Sequence, residues 1–120
     1  MHSIIGYGIW VDYASLIRLY LIEREKMAYA SISHWTITEW NDELESIARD
    51  KFVPLIMSVG ASRVQMIKTS DLTFSVVTEY PNKGAADAAQ AKVAEIRAQA
   101  AQELPMTMAS MDVGDVFASS

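Results

Sequence analysis

His34 is the only imidazole after Met27. An imidazole titrates near neutral pH, so it can accept or give a proton or hold a substrate phenol. The bland alternative is a structural histidine bonded to a backbone carbonyl or placed at a subunit interface. Trp35 and Trp40 stand close by. Their rings could line a pocket for a flat apolar ligand, although aromatic side chains dominate ordinary cores as well. Asn41 follows Trp40 and could orient a ligand carbonyl, or simply cap a helix. Arg63 could hold a carboxylate, or lie on the surface with its stem packed. Tyr80 supplies a phenol at the end of an apolar run. Together these residues outline a small-molecule pocket, with His34 as the candidate proton acceptor and Trp35, Trp40, Asn41, Arg63 and Tyr80 as candidate walls. Met57, Met66, Met106, Met108 and Met111 are adaptable filler, and Met106 and Met108 share a strand face.

Other machineries are excluded by residue type. With no cysteine, neither a thiolate metal cluster nor a disulfide scaffold can form. No His-rich metal spacing exists, and no metal or cofactor is expected. The chain lacks GxGxxG, GxxxxGK[ST] and GxSxG motifs, and Gly6-Tyr7-Gly8 is too short to stand for one. Ten Lys and Arg against fifteen Asp and Glu give a net charge of −5, which argues against a nucleic-acid binder. The RNA-recognition motif would place Lys/Arg-Gly-aromatic on the third strand, where this chain has Leu72-Thr73-Phe74-Ser75.

The elements that must position these residues follow from periodicity. Tyr29–Ile37 is rich in β-branched and aromatic residues and reads as a first strand. Tyr29, Ser31, Ser33, Trp35 and Ile37 lie on one face, with Ala30, Ile32, His34 and Thr36 on the other. Thr36 or Thr38 is placed to cap the helix that follows. Trp40, Leu44, Ile47, Ala48, Leu55 and Val59 give that helix an apolar stripe. Pro54 should kink or restart it near Lys51 to Val53, and Gly60 should stop it. Arg63–Thr69 and Leu72–Tyr80 read as a hairpin turning at Thr69-Ser70-Asp71. Ala85–Leu104 is an Ala-rich helix with Ala86, Ala89, Val93, Ile96 and Ala100 on one stripe. Met106–Met111 is a last strand, with a short strand at Val116–Ala118 expected after a turn at Gly114.

The resulting order is β-α-β-β-α-β, a ferredoxin-like α+β fold: a four-stranded antiparallel sheet with two helices on one face. Apolar residues on both strand faces, such as Val77 and Ile67 opposite Val76 and Met66, predict that the helix-free face meets something, most simply a second copy of the chain.

Residues 1–26 differ in kind. Asp12, Glu23 and Glu25 balance Arg18, Arg24 and Lys26, so the whole net charge belongs to residues 27–120. Ile4 to Ile22 is almost wholly apolar. Asp12 and Arg18 argue against a membrane span, and the lack of a basic start argues against a signal peptide. An amphipathic helix would set Ile9, Tyr13, Leu16, Ile17, Tyr20 and Leu21 opposite Asp12, Ser15 and Glu23. Such a helix could pack on the domain or lie on a membrane surface. The fourth reading is a non-native leader. Glu23-Arg24-Glu25-Lys26 can be written in purine-only codons, as a ribosome-binding site before an ATG at Met27 would be. The expected organisation is therefore an N-terminal extension, 1–26, and one folded domain, 27–120.

With that order in hand, residues 27–120 resemble the dimeric α+β-barrel superfamily that includes antibiotic-biosynthesis-monooxygenase-like proteins. Tyr29–Ile37, the helix ending at Gly60-Ala61, the hairpin from Arg63-Val-Gln-Met-Ile67 to Phe74–Tyr80, and the Ala-rich helix carry the resemblance. It implies two subunits with sheets face to face and a pocket between each sheet and its helices. It also implies, for some members, oxidation of small aromatic substrates by O2 without metal or flavin. Haem-degrading relatives use a His, an Asn and a Trp, but His34, Asn41, Trp35 and Trp40 do not have that spacing. The expected protein is a cytoplasmic homodimer binding a small aromatic or apolar molecule, either as a cofactor-free monooxygenase-like enzyme or as a non-catalytic binding or stress-related accessory protein.

Overall fold

The computed structural model describes the backbone of residues 2–5, 9–25 and 27–120, and the side chains of residues 12–19 and 27–120. The chain opens with a hairpin, β1 (His2–Ile5) and β2 (Ile9–Asp12), followed by helix α1 (Tyr13–Glu25). An amphipathic helix, one of the four readings of this stretch, would take in Ile9, whereas the described backbone has two strands before a helix that starts at Tyr13. Asp12 explains the break. Its Oδ1 accepts the Ser15 N–H at 2.7 Å, so Asp12 caps α1 rather than lying on its polar face. Tyr13 and Ile17, which that reading sets on the apolar side, are exposed. The side chains of Ile9, Tyr20, Leu21 and Glu23, and the whole of Gly6-Tyr7-Gly8, lie outside the described residues. Among the described residues no helix is long and apolar enough to cross a membrane.

The rest is an α+β unit compatible with a ferredoxin-like fold. Its strands are β3 (Tyr29–Ile37), β4 (Arg63–Ser70), β5 (Thr73–Tyr80) and β6 (Met106–Asp115), in the spatial order β4-β5-β3-β6 with every pair antiparallel. Between β3 and β4 run α2 (Asp42–Ile47), a π-helical turn at Ala48–Phe52, and α3 (Val53–Ser58). Pro54 accounts for the interruption. It has no N–H to give and its ring crowds the preceding turn, and a π-bulge absorbs both before the helix restarts at Val53. Gly60 ends α3 at a positive φ of 113°, a conformation glycine adopts without Cβ strain.

Three boundaries differ from expectation. Asn41, not Thr36 or Thr38, caps α2: its side chain accepts the Leu44 N–H at 2.9 Å, while Thr38 N–H instead bonds the Pro105 carbonyl. β6 runs unbroken to Asp115, so Gly114 is a strand residue and not a turn. No strand forms at Val116–Ala118, because β3 has already ended at Tyr29, the partner of Asp115. Helix α4 (Lys83–Glu103), capped by Asn82, crosses the same face as α3.

That face carries the core. Trp35, Ile37, Phe74, Val76 and Met106 from three strands pack with Phe52, Ala100 and Leu104 from the helices. Tyr80, Ala89, Val93, Ile56 and Ala61 form a neighbouring cluster. The alternation predicted for β3 is the observed one: Ser31, Ser33, Trp35 and Ile37 are buried under helices, and Ile32 and Thr36 are exposed on the open face.

Candidate functional site

Two adjoining cavities lie between the sheet and its helices. The outer one, about 330 Å³, is bounded by Ile37, Trp40, Leu44, Glu45, Arg49, Lys68 and Phe74. The inner one, about 50 Å³, is bounded by Ser33, Trp35, Phe52, Thr78, Val93 and Arg97. Ala48, Met66, Phe74, Leu104 and Met106 wall both. Two of those shared walls are methionines, whose unbranched thioethers repack readily, so the partition is a soft one.

Aromatic geometry shapes the site. The Trp35 and Phe74 rings stack at 6.2 Å, and Trp40 meets Phe74 edge-on at 5.9 Å. Each indole N–H is satisfied, Trp35 Nε1 donating to Ser33 Oγ at 2.7 Å and Trp40 Nε1 to Glu45 Oε1 at 3.0 Å. Lys68 Nζ sits 4.6 Å from the Trp40 ring centroid, a cation–π contact at the rim of the outer cavity. The rings are therefore held in fixed orientations around the space they enclose.

The remaining predicted residues fall elsewhere. Asn41 caps α2 and does not border either cavity. Arg63 is exposed at the start of β4, opposite Glu79 on the open face. Tyr80 is buried on the helix-covered face, in the cluster of Val93 and Ala89. Burial pushes its phenol above the ordinary tyrosine value, and the nearby Arg97 guanidinium opposes that shift.

His34 lies on the open face, the opposite side of β3 from the cavities. Its Nδ1 is 2.9 Å from Ser75 Oγ, and its Nε2 is 3.4 Å from Asp112 Oδ2. The three side chains come from β5, β3 and β6. Ser75 is the register partner of His34, and Asp112 reaches it diagonally because a β-bulge between His34 and Trp35 shifts the β6 register. The contacts join three strands, and Asp112 stands 78% exposed, in water rather than in an enclosed site.

Arg97 is the polar wall that the sequence reading passed over. It lies four residues after Val93 and three before Ala100, both buried, so it shares their side of α4. A charged residue interrupting an apolar stripe was the available signal. Burial pulls its guanidinium below the ordinary arginine value, with Tyr80 opposing, and it remains a cation at neutral pH.

No protein-family model matches the chain, and no curated protein matches it.

Proposed function

We propose that this chain is a homodimeric member of the dimeric α+β-barrel superfamily that holds a small, aromatic or apolar molecule between its sheet and its helices. The observation that carries the reading is the outer cavity, an apolar space of about 330 Å³ faced by Trp40 and Phe74 with only a few polar groups at its rim. Ligand sites have that character: concave, mostly apolar, with sparse polar groups to fix orientation. The strand order β4-β5-β3-β6 supports the ferredoxin-like βαββαβ assignment, with α2, the π-helical turn and α3 standing together for its first helix and α4 for its second.

The dimer is proposed through the helix-free face. Ile32 and Val77 are register partners there, and Ile67 lies on the same face of β4, opposite Ser75. Ile32 and Ile67 are exposed in the single chain. A second copy would cover this stripe by symmetry. Sedimentation equilibrium tests it: the wild type should be dimeric and Ile32→Glu monomeric, and a monomeric wild type ends the dimer proposal.

A non-catalytic binding role fits better than a monooxygenase-like one. No histidine borders the cavities among the described residues, and the one carboxylate there, Glu45, is engaged by Trp40. The enzymatic alternative puts His34, with Ser75 and Asp112, against a substrate held between two sheets. Thermal shift with flat aromatic probes tests the binding reading. A ligand at about 100 times its dissociation constant adds about 2.7 kcal/mol of stability. Absence of any shift across neutral and charged probes would falsify it.

A further inference from the structure

The inner cavity is walled almost wholly by apolar surface, and among the described residues Arg97 is the one charged residue that borders it. Its guanidinium has five N–H donors and no acceptor. Among the described residues no carboxylate pairs with it. Thr78 and Ser33 line the same space from the sheet. Ser33 accepts the Trp35 N–H through Oγ and so keeps its own O–H to donate. Next along that row, bordering neither cavity, is Ser31, the register partner of Thr78, whose buried Oγ has no hydrogen-bond partner.

A half-buried cation with no counterion among the described residues is unfavourable on its own. Arg97 sits on α4, across from Ser33 and Thr78 of the β3–β5 pair, at one end of a space whose other end is apolar and aromatic. What it lacks is an acceptor carrying negative charge. A guanidinium fork matches a carboxylate in a bidentate, charge-assisted way. A single fork in about 50 Å³ suits one carboxylate, whereas a phosphate dianion would bring a second charge with nothing to meet it.

We propose that the cavity takes a monocarboxylate with a flat apolar body, the carboxylate seated on Arg97 with the Ser33 and Thr78 hydroxyls, and the body lying against Phe74 toward Trp40. This rests on the reading of the cavities as a ligand site, and gives that ligand its charge and its orientation.

The test uses the full chain and two matched probes, 2-naphthoate and the neutral 2-naphthamide, titrated by calorimetry. The wild type should bind the carboxylate at least tenfold more tightly. Arg97→Met should abolish that preference while leaving naphthamide affinity within about twofold, and Arg97→Lys, which keeps the charge but not the fork, should reduce it. Arg49→Gln and Lys68→Gln, which remove the cations of the outer cavity, should leave the preference intact. Equal binding of both probes by the wild type overturns the anionic ligand but leaves the cavity reading standing. So does a preference that survives both Arg97 variants or disappears with Arg49 or Lys68. Failure of both probes to bind overturns the cavity reading itself, and this proposal with it.

Discussion

The indole of Trp35 lies nearly parallel to the phenyl ring of Phe74, their planes 7° apart and their centroids separated by 6.2 Å. The two residues are register partners on adjacent strands, so the stack ties β3 to β5 at the point where the cavities meet. Truncating Phe74 removes both the stack and the edge-on contact with Trp40. Phe74→Ala should cost about 3–5 kcal/mol, the usual penalty for a buried aromatic in a core that cannot fully collapse. Urea unfolding of Phe74→Ala beside Phe117→Ala supplies the contrast. Phe117 is 88% exposed, and its truncation should stay within about 0.5 kcal/mol. A small effect at Phe74 would mean that the stack does not hold the site.

The cap assignments predict a separate and smaller effect. Asn41 Oδ1 accepts the Leu44 N–H and Asn82 Oδ1 accepts the Ala85 N–H, each at a helix N-terminus. Asn41→Ala and Asn82→Ala should each cost about 1 kcal/mol, while replacing Thr38, the cap expected from sequence, should cost less. Chemical denaturation of the three variants ranks them. Asn41 was read from sequence as either a ligand contact or a cap; it borders neither cavity, so Asn41→Ala should leave ligand affinity unchanged.

Much of the fold was legible because alternation and helical spacing report burial directly. The faces of β3, the break before Pro54 and the stop at Gly60 all followed from residue types with one dominant physical consequence. The start of the N-terminal helix was not legible because an apolar run has no unique period, and Asp12 is a cap where an amphipathic helix would put it on a polar face. The site was less legible. Trp35 and Trp40 reached it, but spacing cannot say which face of β3 a histidine will share with a pocket. Arg97 was hidden because a lone arginine in an Ala-rich helix looks like a solvated residue until the packing of its neighbours is known.

Tyr80 carries a prediction about alkaline pH. Burial raises its pKa above the ordinary value of 10.0, so the folded state holds the phenolic proton more tightly than the unfolded chain does. The stabilisation is present in full below the unfolded pKa. It is lost as pH rises from about 10 through the raised folded value, because only the unfolded chain then gives up its proton. Unfolding free energy measured between pH 8 and 11 should fall for the wild type. Tyr80→Phe should show a shallower decline, and identical slopes would remove Tyr80 as its source.

On the open face, His34 and Asp112 form a contact that is mostly in water, with side chains 42% and 78% exposed. Such a pair contributes about 0–1 kcal/mol, so Asp112→Asn should barely change the stability of a single chain. If two sheets meet face to face, the same pair becomes enclosed and its removal should weaken the dimer. The expected result is a higher dissociation constant in sedimentation equilibrium with little change in unfolding of the monomeric Ile32→Glu background. An unchanged dissociation constant would place Asp112 outside the interface.

Ser31 carries a stability prediction of its own. Its buried Oγ has no partner in the unliganded chain, and an unsatisfied hydroxyl costs about 1–3 kcal/mol. Ser31→Ala removes that group with almost no change in volume, so the unliganded protein should become more stable, by about 1 kcal/mol at the lower end of that range. Ser31 borders neither cavity, so 2-naphthoate should stabilise the wild type and Ser31→Ala to the same extent. Thermal melts of both proteins with and without the probe read the two effects separately. If Ser31→Ala destabilises the unliganded chain, the hydroxyl has a structural partner.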